Sequence, residues 1–335
     1  MTNSSSNSAS QPSRHSTGPT SWWWFLLHAG GAILAAAAIL FLEREFPVLY
    51  MHFILEDSAG EYAGAAGFII AAVFLALAAR RRRVRWVRIL LWVAAIVAVV
   101  VGLEEMSWGQ RILGLETPPA LREVNVQGEI TLHNISGIDP DLLQRVLAVP
   151  PILLVLLSEI RAVVHSRRTL PTWARELPLM PRELYPWALL AATVLLARPF
   201  IKSDEVGEFL LGWLVAGWAA SVYLDRSHHD RLWGQLRILA AQFAAVILGI
   251  AFSTLHSPVD SWRANITAFR DYPSRGLYEQ ALEVAEYIRA RPWLTMPDTE
   301  DRYRSLLEQI DAANRVPAPQ RQPVEGTPPD PPAME

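Results

Sequence analysis

The feature that most constrains this chain is the bunching of its apolar residues into seven runs of membrane length, at 22–42, 62–79, 89–103, 142–164, 184–200, 206–224 and 236–254. A helix crosses hydrocarbon with roughly 20 apolar residues, and only a helix or a closed barrel satisfies its own backbone there. The expected fold is therefore all-α: a polytopic membrane helix bundle of seven spanning helices, with a long outer loop and a small C-terminal helical hairpin. Composition agrees, with 51% apolar residues and thirteen Trp, a side chain suited to a half-wet interface. The first run is too long for a signal-peptide core, has no convincing cleavage site, and reads as a retained span.

Residues 1–21 are rich in Ser, Asn and Thr and predict a disordered tail; 316–335 are Pro-rich and predict another. The bundle covers 22–255, with its outer loop at 104–141. Residues 43–61, acidic at both ends, are too short to span and predict an interfacial or re-entrant piece. Gly60, Gly64 and Gly67 allow close helix contact in the second span. Pro150 and Pro151 predict a kink in the fourth. Within 256–315, Leu277, Ala281, Val284 and Ile288 share one helical face, predicting a hairpin of 277–289 with 299–313.

Orientation follows from the bias of Arg and Lys between loops. Six Arg lie in 80–88, five in 161–183 and three in 225–237; the alternate loops are poorer, with one in 43–61, three in 104–145 and two in 198–205. This puts the N-terminus in the cytoplasm and the C-terminal hairpin outside. Glu56, Asp57, Glu61, Glu104, Glu105, Glu129, His133, Asp204, Glu205, Glu208 and His256 then share the extracytoplasmic level. Ionisable groups at that depth are costly unless they face a wet cavity or a partner. A cavity open to the outer face is expected.

The stretch 102–134 concentrates chemistry. Glu129 and His133, spaced i, i+4, would share a face if helical and could chelate a divalent metal or exchange a proton. Glu205 and Glu208 could add ligands from another helix. Of the adjacent Glu104 and Glu105 only one can face inward, and Glu104 is expected to, since it shares a helical face with Trp108 and Arg111. Glu104 joins Glu129 and His133 as a candidate catalytic residue. Arg111, Trp108, Gln110, Asn125, Gln127 and Asn134 are candidate substrate contacts, Arg111 for an anionic head group. The competing interpretation is a structural polar network in which Arg111, Arg198 and Lys202 neutralise the carboxylates.

The motifs GLEEMSWGQRILGLETP and NVQGEITLHN, preceded by EDSAGEYAGAAGF, resemble a family of bacterial multi-pass membrane proteins. Its pattern is matched by Glu56, Asp57 and Glu61; by Glu104, Glu105, Ser107, Trp108, Gly109, Gln110 and Arg111; by Asn125, Gln127, Glu129, Leu132, His133 and Asn134; and by Glu205 and Glu208. The resemblance covers roughly residues 50–250, implies a bacterial inner-membrane location, groups these residues, and supplies no reaction. In a bacterium the sequon at Asn265 carries no weight.

The function expected is a membrane enzyme with an outward-facing carboxylate/His centre, metal-dependent, acting on a lipid or lipid-linked substrate. A transporter or ion-coupled permease, or a non-catalytic scaffold docking through the hairpin, are the alternatives. The net charge of −3 offers no nucleic-acid surface. The absence of Cys excludes disulfides, thiolate metal sites and a Cys nucleophile.

Overall fold

The computed structural model describes residues 20–54, 58–113, 115–125, 130, 131, 135, 139–167, 170–224, 232–256 and 261–315. The long helices are α1 (Thr20–Glu45), α3 (Ala59–Arg81), α4 (Arg85–Glu105), α7 (Pro140–Arg167), α10 (Ser203–Tyr223) and α11 (Leu232–His256). Between them lie α2 (Pro47–Ile54), the short α5 (Gln110–Leu113), α6 (Pro119–Arg122) and α8 (Thr172–Glu176), and α9 (Tyr185–Ala197). The C-terminal unit holds α12 (Ser261–Ile266), α13 (Tyr278–Arg289) and α14 (Thr299–Arg315). Among the described residues there is no strand, only an isolated antiparallel bridge between Asn125 and Ile135.

Six helices are long and apolar enough to cross a membrane. The run at 184–200 forms the 13-residue α9, shorter than a span. Contacts nonetheless fix its direction. Glu159 of α7 accepts from Arg182 (2.7 Å) and from the Tyr185 hydroxyl (2.9 Å), just before and at the start of α9. Just past its end, Arg198 donates to Gln144 of α7 at 2.6 Å. Those two α7 positions are about 22 Å apart along a helix, so α9 runs antiparallel to α7.

The same logic orders the rest. His28 of α1 accepts from Trp187, and Glu43 accepts from the Ile201 backbone, so α1 runs alongside α9. Gly64 of α3 packs on the Glu208 carbonyl, while Arg81 donates to Tyr223, so α3 and α10 are parallel. Gly102 lies against Ala65 and Gly249 against Ala63, making α4 and α11 antiparallel to α3. The bundle thus has an Arg-rich end, with residues 80–88, 159–167, 170–185, 218–224 and 232–233, and a Glu-rich end, with residues 43–54, 58–64, 102–113, 139–144 and 198–208.

Helix α3 is the axis. Gly60, Tyr62–Phe68, Ala71, Ala72, Leu75, Ala78 and Ala79 are all buried, because small residues there admit α4, α10 and α11. Gly64 and Gly67 make the close approach expected of them, both against α10. Outward, α1, α4, α7 and α11 expose Leu26, Ile33, Ile96, Val146, Ile160 and Ile247. So continuous an apolar surface has lipid as its natural solvent. Trp22, Trp23, Trp86, Trp173 and Trp233 are exposed at the Arg-rich end, as an aromatic interfacial belt would be.

Within 43–61, Pro47–Ile54 form the short helix α2, with Tyr50 and Met51 fully buried and the Tyr50 hydroxyl donating to Ile201 O at 2.6 Å. Helix α7 continues through Pro150 and Pro151. The C-terminal unit docks on the Glu-rich end: His52 and the Tyr287 hydroxyl are 2.8 Å apart, and Gln280 donates to Arg44 O at 2.9 Å. The predicted face of α13 is the buried one, at Ala281, Val284 and Ile288. Asn265 is wholly buried, its amide bonded to Leu294 O and Thr299 Oγ1, so its side chain holds the unit together.

Candidate functional site at the Glu-rich end

Helix α4 ends at Glu105 and the backbone then turns left-handed through three successive residues: Ser107, Trp108 and Gly109 have φ of 45°, 55° and 72°. Only glycine takes that conformation without cost. The turn ends α4 and starts α5 in a new direction, closed by Gly109 N–H donating to Met106 O at 2.8 Å. Trp108, partly exposed, donates from Nε1 to Glu104 Oε1 at 2.6 Å. Glu104 is therefore tied to the edge of the turn.

The inward carboxyl is Glu105, against the expectation for Glu104. It is hydrogen-bonded to Glu208 of α10, and the charges of Glu61, Asp204 and Glu205 also reach Glu208. The face shared by Glu104, Trp108 and Arg111 presupposed a continuous helix, which the left-handed turn breaks. The approach of α4 and α10 across α3 explains the pairing, since Gly102 rests on Ala65 and Gly64 rests on Glu208 O. Both contacts lie within a turn or so of the two carboxyls.

Gln110 and Asn125 belong to the scaffold of the outer loop. Gln110 donates to Thr117 Oγ1 at 2.6 Å and accepts from Ile130 N–H at 2.8 Å, engaging both ends of its amide. Asn125 donates to Thr131 O at 2.9 Å, beside the Asn125–Ile135 bridge. Both amides hold the outer loop in place beside the turn that ends α4. Gln127, Glu129, His133 and Asn134 lie outside the described residues, as do Glu56, Asp57 and the side chain of Arg111. Among the described residues no three His, Asp or Glu side chains form a metal-holding group.

Toward the Arg-rich end from the carboxyl pair, between α4, α7 and α10, is an apolar cleft of about 420 Å³, open to the surface where Val97, Leu153 and Leu157 are exposed. Its walls include Val97, Ala98 and Val101 of α4, Leu147 and the Pro150–Pro151 pair of α7, and Leu211 and Trp218 of α10. Val101 is one turn from Glu105 and Leu211 is one turn from Glu208, so the cleft ends beside the pair. Along α4 it runs about 10 Å, from Ala94 to Val101. Periodicity could not reveal it: each lining residue reads simply as a membrane-helix residue.

The fold and its apolar helices suggest a multi-pass helical membrane protein, with a carboxyl pair beside an interhelical apolar cleft. The chain matches no family model, no curated protein and no solved structure.

Proposed function

We propose that the protein is an integral membrane enzyme acting on a lipid or lipid-linked substrate at its extracytoplasmic face. A single juxtaposition supports this: the apolar cleft, at the depth of the spanning helices, ends one turn from the Glu105–Glu208 pair. A cleft of this size and lining suits a hydrocarbon chain, since ligand pockets run from about 300 to 1,000 Å³ and are mostly apolar. The chain would lie between α4, α7 and α10, with its polar end beside the carboxyls.

Two carboxyl groups hydrogen-bonded to each other include one donor and one acceptor, because a carboxylate only accepts. Such a pair supplies a general acid and a general base at one point. Glu104 buttresses the turn beside it. Glu129 and His133 would complete the centre from the loop above. A divalent metal, as one form of this proposal, would use them with Glu205 and Glu208; the chemistry assigned to Glu105 and Glu208 does not require it.

The topology belongs to the same proposal. With α9 as a seventh crossing, the Arg-rich end is cytoplasmic, the N-terminus is inside, and the carboxyl pair and C-terminal unit are outside, in the inner membrane of a bacterium. A transporter is less well supported, because the pair sits at the ends of helices and coupling sites tend toward the midplane.

The test compares lipid extracts of a deletion strain complemented with the wild-type chain, Glu208→Gln or Ala98→Trp. A lipid species should accumulate in the deletion strain, return to its parental level with wild type, and stay high with both variants. Full restoration by both variants, at equal membrane abundance, would remove the proposal.

A further inference from the structure

The sequence contains a single lysine, Lys202, among thirty basic residues. It lies where α9 hands over to α10, and its backbone is left-handed at φ 52°. Arg198, four residues earlier, is left-handed at φ 49°. Neither is a residue type that favours this conformation. The intervening loop is pinned at Ile201, whose N–H is taken by Glu43 and whose carbonyl is taken by the Tyr50 hydroxyl. Ser203 holds Phe200 from the other side, accepting from its N–H and donating to its carbonyl. The two cations are thereby held on either side of one fixed loop.

They line a polar cleft of about 270 Å³ between the Glu-rich end of the bundle and the C-terminal unit. Arg270 and Arg275 enter it from the C-terminal unit; Asp204 and Asp271 are its carboxylates. Arg270 engages Asp271 at 2.8 Å, which among the described lining residues leaves Lys202 and Arg275 facing Asp204. Arg275 donates to Pro199 O and Arg198 O, neutral acceptors that orient its guanidinium group, and Arg198 donates to Gln144. Among the described residues no hydrogen bond or ion pair involves the Lys202 ammonium. Behind the loop, buried Glu43 is balanced by neighbouring Arg44 at 3.9 Å. The first turn of the 21-residue α10 adds its own partial positive charge.

We propose that this cleft binds a phosphate-class anion, held by Lys202 as a point charge and by Arg270 and Arg275 as directed donors. Phosphate presents several acceptor oxygens to a convergent set of this kind. The anion comes either from solution or from the head group of an anionic lipid whose polar end reaches the same level. The proposal is independent of the chemistry assigned to Glu105 and Glu208.

The single lysine makes the test direct. The full chain is placed in phosphatidylcholine nanodiscs and acetylated with an amine reagent, and modification of Lys202 is followed by peptide mass spectrometry against the α-amino group. Inorganic phosphate should slow acetylation of Lys202 about tenfold at saturation while leaving the α-amino group unaffected. If only nanodiscs doped with phosphatidic acid protect Lys202, the anion is a lipid head group. Arg270→Gln alters an exposed side chain and should leave the melting temperature unchanged. It should raise the half-protecting concentration about tenfold, the weight of one charge-assisted hydrogen bond. No protection by either probe, or protection unchanged in Arg270→Gln, overturns the proposal.

Discussion

Left-handed backbone in non-glycine residues is confined, among the described residues, to Ser107, Trp108, Arg198 and Lys202. Each costs on the order of 1 kcal/mol relative to right-handed geometry. Strain of this sort persists where surrounding bonds over-determine it, and it concentrates at working sites. Here one pair lies beside the carboxyls and the other lines the cationic cleft. Gly109, next to the first pair, has φ 72° and open space around it, a Cβ there meeting only Leu113 Cδ1 at 3.9 Å. Gly109→Ala therefore tests the backbone alone. It should destabilise the protein by about 1 kcal/mol, read as a lowered melting temperature in detergent. A melting temperature at or above wild type would show that the turn does not impose this conformation.

Helices α3 and α10 meet through a different use of glycine. A Cβ on Gly67 would strike the backbone of Gly212, and one on Gly212 would strike that of Gly64. Backbone cannot move aside as a side chain can, so Gly212→Ala should cost about 1–3 kcal/mol. The carboxyl pair depends on the same contact, one turn away at Glu208. Thermal unfolding of Gly212→Ala that matched wild type would mean that the helices do not approach so closely. Much at this scale was legible: apolar run length placed the long helices, and small residues at 60, 64 and 67 announced a close contact. The face of α13 was legible because its apolar residues recur every three to four positions against a polar background. Direction of packing was not legible. Glu104 and Glu105 are equivalent in sequence until the helix is known to end between them and Trp108, and a left-handed Ser-Trp leaves no compositional trace. The loop-holding bonds of Gln110 and Asn125 were not legible for a related reason, since an amide that binds substrate and one that staples a loop have the same side chain. Arg270 and Arg275 come from one segment and Gln144 from another far along the chain, and nothing in their spacing marked where they meet.

For the molecule as a whole, charge and packing make a joint argument about direction. The helix register puts the Arg-rich loops at one end and the carboxylates at the other, independently of any rule about membranes. In the proposed topology the bias of Arg toward the cytoplasm orients the whole body, and α9 crosses as the chain passes from Arg161 and Arg175 to Arg198 and Ser203. With no Cys in the chain, single-cysteine variants carry no background. Thr172, Pro199 and Ser305 are all exposed, before α9, after α9 and on α14. In intact spheroplasts a membrane-impermeant maleimide should label Pro199→Cys and Ser305→Cys. Thr172→Cys should react only after the membrane is opened. Labelling of Thr172→Cys alone would invert the orientation and put the carboxyl pair in the cytoplasm. Equal labelling of Thr172→Cys and Pro199→Cys would mean that α9 dips into the membrane and returns, leaving six crossings and both chain ends on one side.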